Sequence, residues 1–162
     1  MSVNRYQPHL LILPEDDANR QLANGFVKNP SINLRAVQVL PPSGGWPKVH
    51  SDFIENYIAQ LRRHPHGHLV LLIDFDNQVE TRTRHFTDEF PEDVASRVYL
   101  IGTLDEPEPL RVSLGMSLER IGEQLSSSCL DDDDQHWRHE LLQHNLMEVQ
   151  RLIANVKPFL YR

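Results

Sequence analysis

The sequence contains one cysteine, Cys129, so an intrachain disulfide is excluded and a reducing compartment is expected. It also lacks an uninterrupted apolar run of the roughly 18 residues that a membrane-spanning helix needs. The polar stretch MSVNRYQPH at its start has no apolar segment of the kind found in signal peptides. Together these absences predict a cytoplasmic protein with no membrane partner.

Positive charge is scarce as well. The chain has 16 Lys and Arg residues against 23 Asp and Glu residues, which gives a formal net charge of −7. A protein that wraps nucleic acid on its surface is usually basic. Any contact with nucleic acid is therefore expected to be local, or assisted by a metal ion or a partner protein. The sequence leaves the oligomeric state open.

Short apolar runs alternate with helical patterns along the 162 residues, a length that suits one domain with a sizeable core. The runs predict strands at residues 9–13, 32–40, 68–73 and 98–101. Apolar stripes predict helices between the strands, a polar hinge at 126–135 and a C-terminal helical extension at about 131–160. This alternation predicts a three-layer α/β/α domain with a mainly parallel four-stranded sheet and C-terminal helices.

Carboxylates follow two of the predicted strands. Asp74 and Asp76 end the third strand, and Glu15 ends the first. In a parallel sheet these ends share one edge, and neighbouring strands would bring the three side chains within about 5 Å of one another. Like charges at that distance are unfavourable unless they share a cation or a proton. An oxygen-only cluster suits Mg²⁺ or Mn²⁺, the ions of phosphoryl transfer.

The Glu after the first strand and the Asp-x-Asp after the third resemble a Toprim domain, which occurs in topoisomerases, primases, recombination proteins and overcoming-lysogenization-defect nucleases. The resemblance covers residues 9–128. It implies that Glu15 is a general acid/base or a metal-positioning group and that Asp74 and Asp76 bind the metal. It further implies that Glu80 extends the metal-binding motif and that Glu119 matches an extra acidic residue of the nuclease branch.

The resemblance implies a metal-dependent nuclease that uses Mg²⁺ or Mn²⁺ and acts on nucleic acid. Two departures are visible: Asp16 and Asp17 stand where the family has Gly, and no flanking DNA-binding domain is present, so a small stand-alone member is expected. Arg82 and Arg84 follow the acidic motif closely and are candidates for holding a phosphate in the catalytic site. Lys48 is a further candidate.

Two alternatives stay open. A response-regulator receiver also has an acidic pair after its first strand and an Asp after its third, and Thr103 would follow the fourth. A receiver needs a Lys after a fifth strand, however, and the only later lysine is Lys157. The chain could also be a non-catalytic Toprim-like or receiver-like module that docks a partner protein, such as an ATPase.

Overall fold

The computed structural model describes residues 2–162. Its centre is a sheet of four strands, β1 (His9–Pro14), β2 (Val37–Val39), β3 (Gly67–Leu72) and β4 (Val98–Ile101). All three pairings are parallel, and the spatial order is β2-β1-β3-β4. The predicted fold class is confirmed. The second strand is shorter than predicted because residues 33–36 form a turn, in which the Ala36 N–H donates to the Asn33 carbonyl at 2.9 Å.

Helices fill every connection between strands. Helix α1 (Asp17–Val27) joins β1 to β2, and a continuous helical segment joins β2 to β3. That segment consists of α2 (Trp46–Asp52), a π-helical turn (Phe53–Tyr57) and α3 (Ile58–Arg63). Helices α4 (Val79–Thr87) and α5 (Glu92–Ala95) precede β4. After β4 come α6 (Pro107–Leu114), α7 (Leu118–Leu130), two 3-10 turns (His136–Arg138 and Gln143–Asn145) and α8 (Leu146–Leu160).

The sheet is covered on both faces. Because successive side chains of a strand point to opposite faces, Leu10 and Ile12 of β1 pack into the core beneath α1, α7 and α8. Leu11 and Leu13 pack into the second core, beneath α2 and α4. Burial on both faces is typical of parallel sheets and explains the continuous apolar runs of the strands. Within residues 2–162, no helix is long and apolar enough to cross a membrane.

The C-terminal third differs from the prediction in its details. Residues 126–130, predicted as part of a polar hinge, belong to α7, where Ser126 and Ser128 are buried. The Ser128 hydroxyl contacts the His136 ring at 2.8 Å, and the Ser126 hydroxyl contacts the Tyr161 hydroxyl at 3.0 Å. These polar side chains are tolerated inside because each has a hydrogen-bond partner. The last long helix begins only at Leu146.

The order of the strands creates a switch point between β1 and β3. From β1 the chain passes through α1 to β2 on one side, and the segment from α2 to α3 then returns on the opposite face to β3. In open α/β sheets, ligands bind outside the carboxyl ends of the strands where the connections diverge in this way. The first place to look for a site is therefore the edge where β1 and β3 end.

Helices α1 and α7 touch through their glycines, which generates a first prediction. A Cβ atom added at Gly122 would lie 2.1 Å from the Leu22 carbonyl oxygen. We expect Gly122→Ala to lower the free energy of unfolding by about 1–3 kcal/mol, since the helices must separate. Urea denaturation measures this change. Arg120→Ala, on the exposed face of α7, is the matched control, and equal losses in the two variants would contradict the close packing.

Candidate metal centre

Two acidic side chains meet at the switch point because of the β1–β3 register. Pro14 is aligned with Leu72, and the Glu15 N–H donates to the Leu72 carbonyl at 2.9 Å. Asp74 follows two residues after β3. Glu15 and Asp74 are each only 6% exposed. Ligand oxygens of Glu15, Asp16 and Asp74 lie within 4.8 Å of one another, so this group could hold a metal ion.

Hydrogen bonds hold the three acids in place. The buried carboxyl groups of Glu15 and Asp74 lie close together, with ligand oxygens within 4.8 Å of each other. The Asn19 amide donates to Asp74 Oδ1 at 2.8 Å and to Asp16 Oδ1 at 2.9 Å. Glu15 Oε1 is buried and has no hydrogen-bond partner within residues 2–162. An unpartnered buried oxygen in a cluster of acids is the position where a cation would be bound.

The proximity of the acids changes their proton affinity. Burial, followed by the charge of Asp74 and the hydrogen bond to it, raises the pKa of Glu15 to about 8. Burial also raises the pKa of Asp74, although the hydrogen bond from Asn19 opposes that change. Without a cation, the Glu15–Asp74 pair therefore retains one proton at neutral pH. A metal ion would have to displace this proton.

The start of α1 places the third acid. Asp16 is the N-cap, and its side chain accepts a hydrogen bond from the Asn19 N–H at 3.0 Å. Asp residues are favoured at this position because they satisfy free N–H groups of the first turn. Asp16 is therefore both the cap of α1 and a member of the carboxylate group.

The loop before α2 closes the other side of the site. The Glu15 carbonyl accepts hydrogen bonds from the N–H groups of Gly44 at 2.8 Å and Gly45 at 3.1 Å. These glycines have φ angles of +98° and +116°, which other residues rarely adopt. The Ser43 hydroxyl donates to Asp52 at 2.7 Å, so the loop is tied to the body of the helix that follows.

Asp76 and Arg82 do not have the environment that the sequence suggested. Asp76 and Asn77 have φ angles of +50° and +60°, and Asp76 is paired with Arg82 at 3.2 Å. Arg82 is buried, donates to the Asp74 carbonyl at 2.8 Å and lies 4.1 Å from the Trp46 ring centre. The guanidinium therefore fastens the loop after β3. Arg82 therefore has a structural role in this loop, and its expected role in holding a phosphate stays a prediction.

Other predicted acids lie outside the group of three. Glu80, in the first turn of α4, is exposed and pairs with Arg84 at 3.1 Å. Glu119 pairs with Lys28, which follows the last residue of α1. The carboxylate group lies at the first residue of that helix, about 16 Å away along its axis. Glu119 therefore does not correspond to a metal ligand of this site.

The receiver alternative lacks its lysine. Residues 2–162 contain no fifth strand after β4. Lys157 is on α8, where its ammonium donates to Asp132 at 2.8 Å. Thr103 is buried and donates to the carbonyl of Asp105 at 3.1 Å. Lys157 is therefore bound to Asp132 and does not supply the cation that a receiver needs.

Comparisons of the chain with protein-family models, curated proteins and solved structures gave no match. The resemblance to Toprim domains therefore rests on the positions of a few residues. Of these, Glu15 and Asp74 meet in the structure. Asn19 was missed by the sequence analysis, since no motif marks it and its contact with Asp74 spans 55 residues.

The raised pKa of Glu15 predicts a pH-dependent stability without metal. Between the ordinary pKa of 4.5 and the folded-state value of about 8, the folded protein binds a proton that the unfolded chain lacks. The contribution of Glu15 to the free energy of unfolding should therefore be fully present below pH 4.5, and it should be lost as the pH rises from 4.5 to about 8. In Glu15→Gln, the free energy of unfolding should decrease less with pH. Above pH 8 this variant should be more stable than the wild type by a few kcal/mol, which is the order of magnitude that the raised pKa of Glu15 implies.

Urea denaturation at several pH values with EDTA present measures this effect. Glu55→Gln is the matched control, because Glu55 is exposed on the π-helical turn. We expect the control to retain the wild-type pH dependence. If Glu15→Gln and wild type have parallel pH profiles, the proton is not held at Glu15.

The buried position of Arg82 predicts a structural effect of its removal. Arg82→Met should lower the free energy of unfolding by about 1–3 kcal/mol, since the carbonyl of the buried Asp74 loses its donor. Arg84→Met, on the same helix, should cost less than about 0.5 kcal/mol because its ion pair is exposed. Chemical denaturation of both variants tests the contrast. If Arg82→Met is as stable as the wild type, the guanidinium does not hold the loop after β3.

Proposed function

We propose that this protein is a metal-dependent phosphoryl-transfer enzyme of Toprim type that acts as a nuclease. The observation that supports the proposal best is the meeting of Glu15, Asp16 and Asp74 at the switch point of the sheet. The buried, unpartnered oxygen of Glu15 is a second, independent indication that a cation binds there. The cation is proposed to be Mg²⁺ or Mn²⁺, because all the ligand atoms are carboxylate oxygens.

Each of the three acidic residues has its own proposed role in phosphodiester cleavage. Asp74 and Asp16 are proposed to hold the ion through carboxylate oxygens, and Glu15 lies beside them. When bound, the ion supplies positive charge to the phosphate oxygens and orients the attacking water. Water would form a new bond to phosphorus and give up one proton to Glu15, while the phosphodiester P–O bond breaks and the leaving oxygen takes up that proton. Glu15, ionised once the cation has displaced its proton, is proposed to be the general acid/base: it takes the proton of the attacking water and passes it to the leaving oxygen.

The charge of the protein favours metal-assisted binding of the phosphate. Asp76 and Asp16 surround the buried pair and would repel an anion. Arg82 and Arg84, the cations expected to hold a phosphate, are paired with acids. Lys48 is exposed, and its ammonium lies close to Gly44, in the loop whose N–H groups bind Glu15. It is the cation that we propose contacts the substrate phosphate.

Two measurements test the proposal. Isothermal calorimetry should show Mn²⁺ binding to the wild type and strongly reduced binding to Asp74→Asn. Cleavage of supercoiled plasmid and of a single-stranded oligonucleotide should require Mg²⁺ or Mn²⁺ and stop with EDTA. Glu15→Gln should reduce the cleavage rate by about 10²–10⁴-fold, the usual contribution of general acid–base catalysis.

The control is Asp93→Asn, an acid-to-amide change at an exposed residue that pairs with Arg62. This variant should cleave and bind Mn²⁺ like the wild type. The proposal is wrong if the wild type neither cleaves either substrate nor binds Mn²⁺. Cleavage that survives in Asp74→Asn would place the active site elsewhere.

A further inference from the structure

We infer that Asn19 is a positioning residue that fixes the separation of Asp16 and Asp74 for the metal ion. The inference rests on the proposed function, since it concerns the same site. Asn19 is 0% exposed and lies in the first turn of α1, three residues after the N-cap. It connects the acid that starts α1 with the acid that follows β3.

The two donor hydrogens of one amide group are used for this connection. Asn19 Nδ2 lies 2.9 Å from Asp16 Oδ1 and 2.8 Å from Asp74 Oδ1. The Asn19 backbone N–H adds a third bond, to Asp16 Oδ1 at 3.0 Å. A planar amide has fixed angles between its two N–H bonds, so these contacts define both the distance and the orientation of the carboxylates.

The contacts also select which oxygens are available. Asn19 occupies Oδ1 of both aspartates, and the second oxygen of each carboxylate is left without a contact to the amide. Hydrogen bonds to ligating carboxylates orient them and tune the affinity for the metal. Asn19 therefore prepares two ligand oxygens for one cation. A longer or a charged side chain at this position would alter the spacing and the ion that fits it.

A purely structural role does not explain the choice of Asn. Its carbonyl oxygen, Oδ1, is buried and has no partner within the described residues, 2–162, and such a group destabilises a fold. At the third position after an N-cap, Glu or Gln commonly binds back to the cap backbone. Asn19 instead binds the cap side chain and Asp74, in the loop after β3. What it provides is the pair of donors between two acids.

Calorimetry with MnCl₂, MgCl₂ and CaCl₂ on the full chain tests the inference. Asn19→Ala should weaken Mn²⁺ binding by about 10–100-fold, the range found for residues that orient metal ligands, and should change the preference among the three ions. Asn29→Ala is the matched control: Asn29 is a buried amide past the other end of α1 and donates to Ser127 at 3.1 Å. The control should lose stability but retain the wild-type Mn²⁺ affinity.

Asn19→Asp keeps the shape and replaces the donors by a further carboxylate. Without metal at pH 8, it should melt at a lower temperature than wild type, and MnCl₂ should raise its melting temperature more than that of wild type. This variant decides the question if Asn19→Ala does not fold. The positioning role would be overturned by two results together. The variants that fold would bind Mn²⁺ as tightly as the wild type, and Asn19→Asp without metal would melt at the wild-type temperature. A wild type that binds no Mn²⁺ would overturn the metal centre itself.

Discussion

The close approach of the buried carboxyl groups of Glu15 and Asp74 is the constraint on which the arrangement of the carboxyl edge of the sheet depends. Two ionised carboxylates cannot remain this close inside a protein, so the contact requires a proton or a cation. The register of β1 and β3 imposes it, because these strands pair along their full length up to Pro14 and Leu72. The first turn of α1 then supplies a compensating donor, the buried amide of Asn19, which binds the Asp74 carboxylate.

The sequence was sufficient for the ends of the two central strands. Each apolar run stops at a residue that favours an end of pairing, Pro14 in one strand and Asp74 in the other, so the acids could be placed at one edge. Whether the strands are neighbours depends on long-range packing of helices against both faces, which no local pattern encodes. The sequence therefore predicted that Glu15 and Asp74 meet only if the first and third strands are neighbours. The strand order β2-β1-β3-β4 shows that they are.

The roles of individual polar residues were harder to predict. Arg82 follows the acids closely in the sequence. The sequence does not show whether its guanidinium is free to bind a phosphate or is already paired with an acid. The left-handed backbone at Asp76 and Asn77 turns the chain so that the guanidinium reaches the Asp74 carbonyl and the Trp46 ring. Charge patterns identify where ionic groups cluster, but the turn geometry decides which group each one binds.

The acidic surroundings impose an order of events on any phosphate chemistry at this site. A phosphate that arrived first would meet Asp16 and Asp76 next to the buried pair, and the nearest arginine, Arg82, is already paired. A cation can enter first because it gains the unpartnered oxygen of Glu15 and relieves the repulsion among the acids. Entry of the cation requires release of the proton that Glu15 holds, since metal binding and deprotonation of ligands are coupled. In the proposed reaction, proton release, ion binding and substrate binding at this edge would therefore be parts of one linked equilibrium.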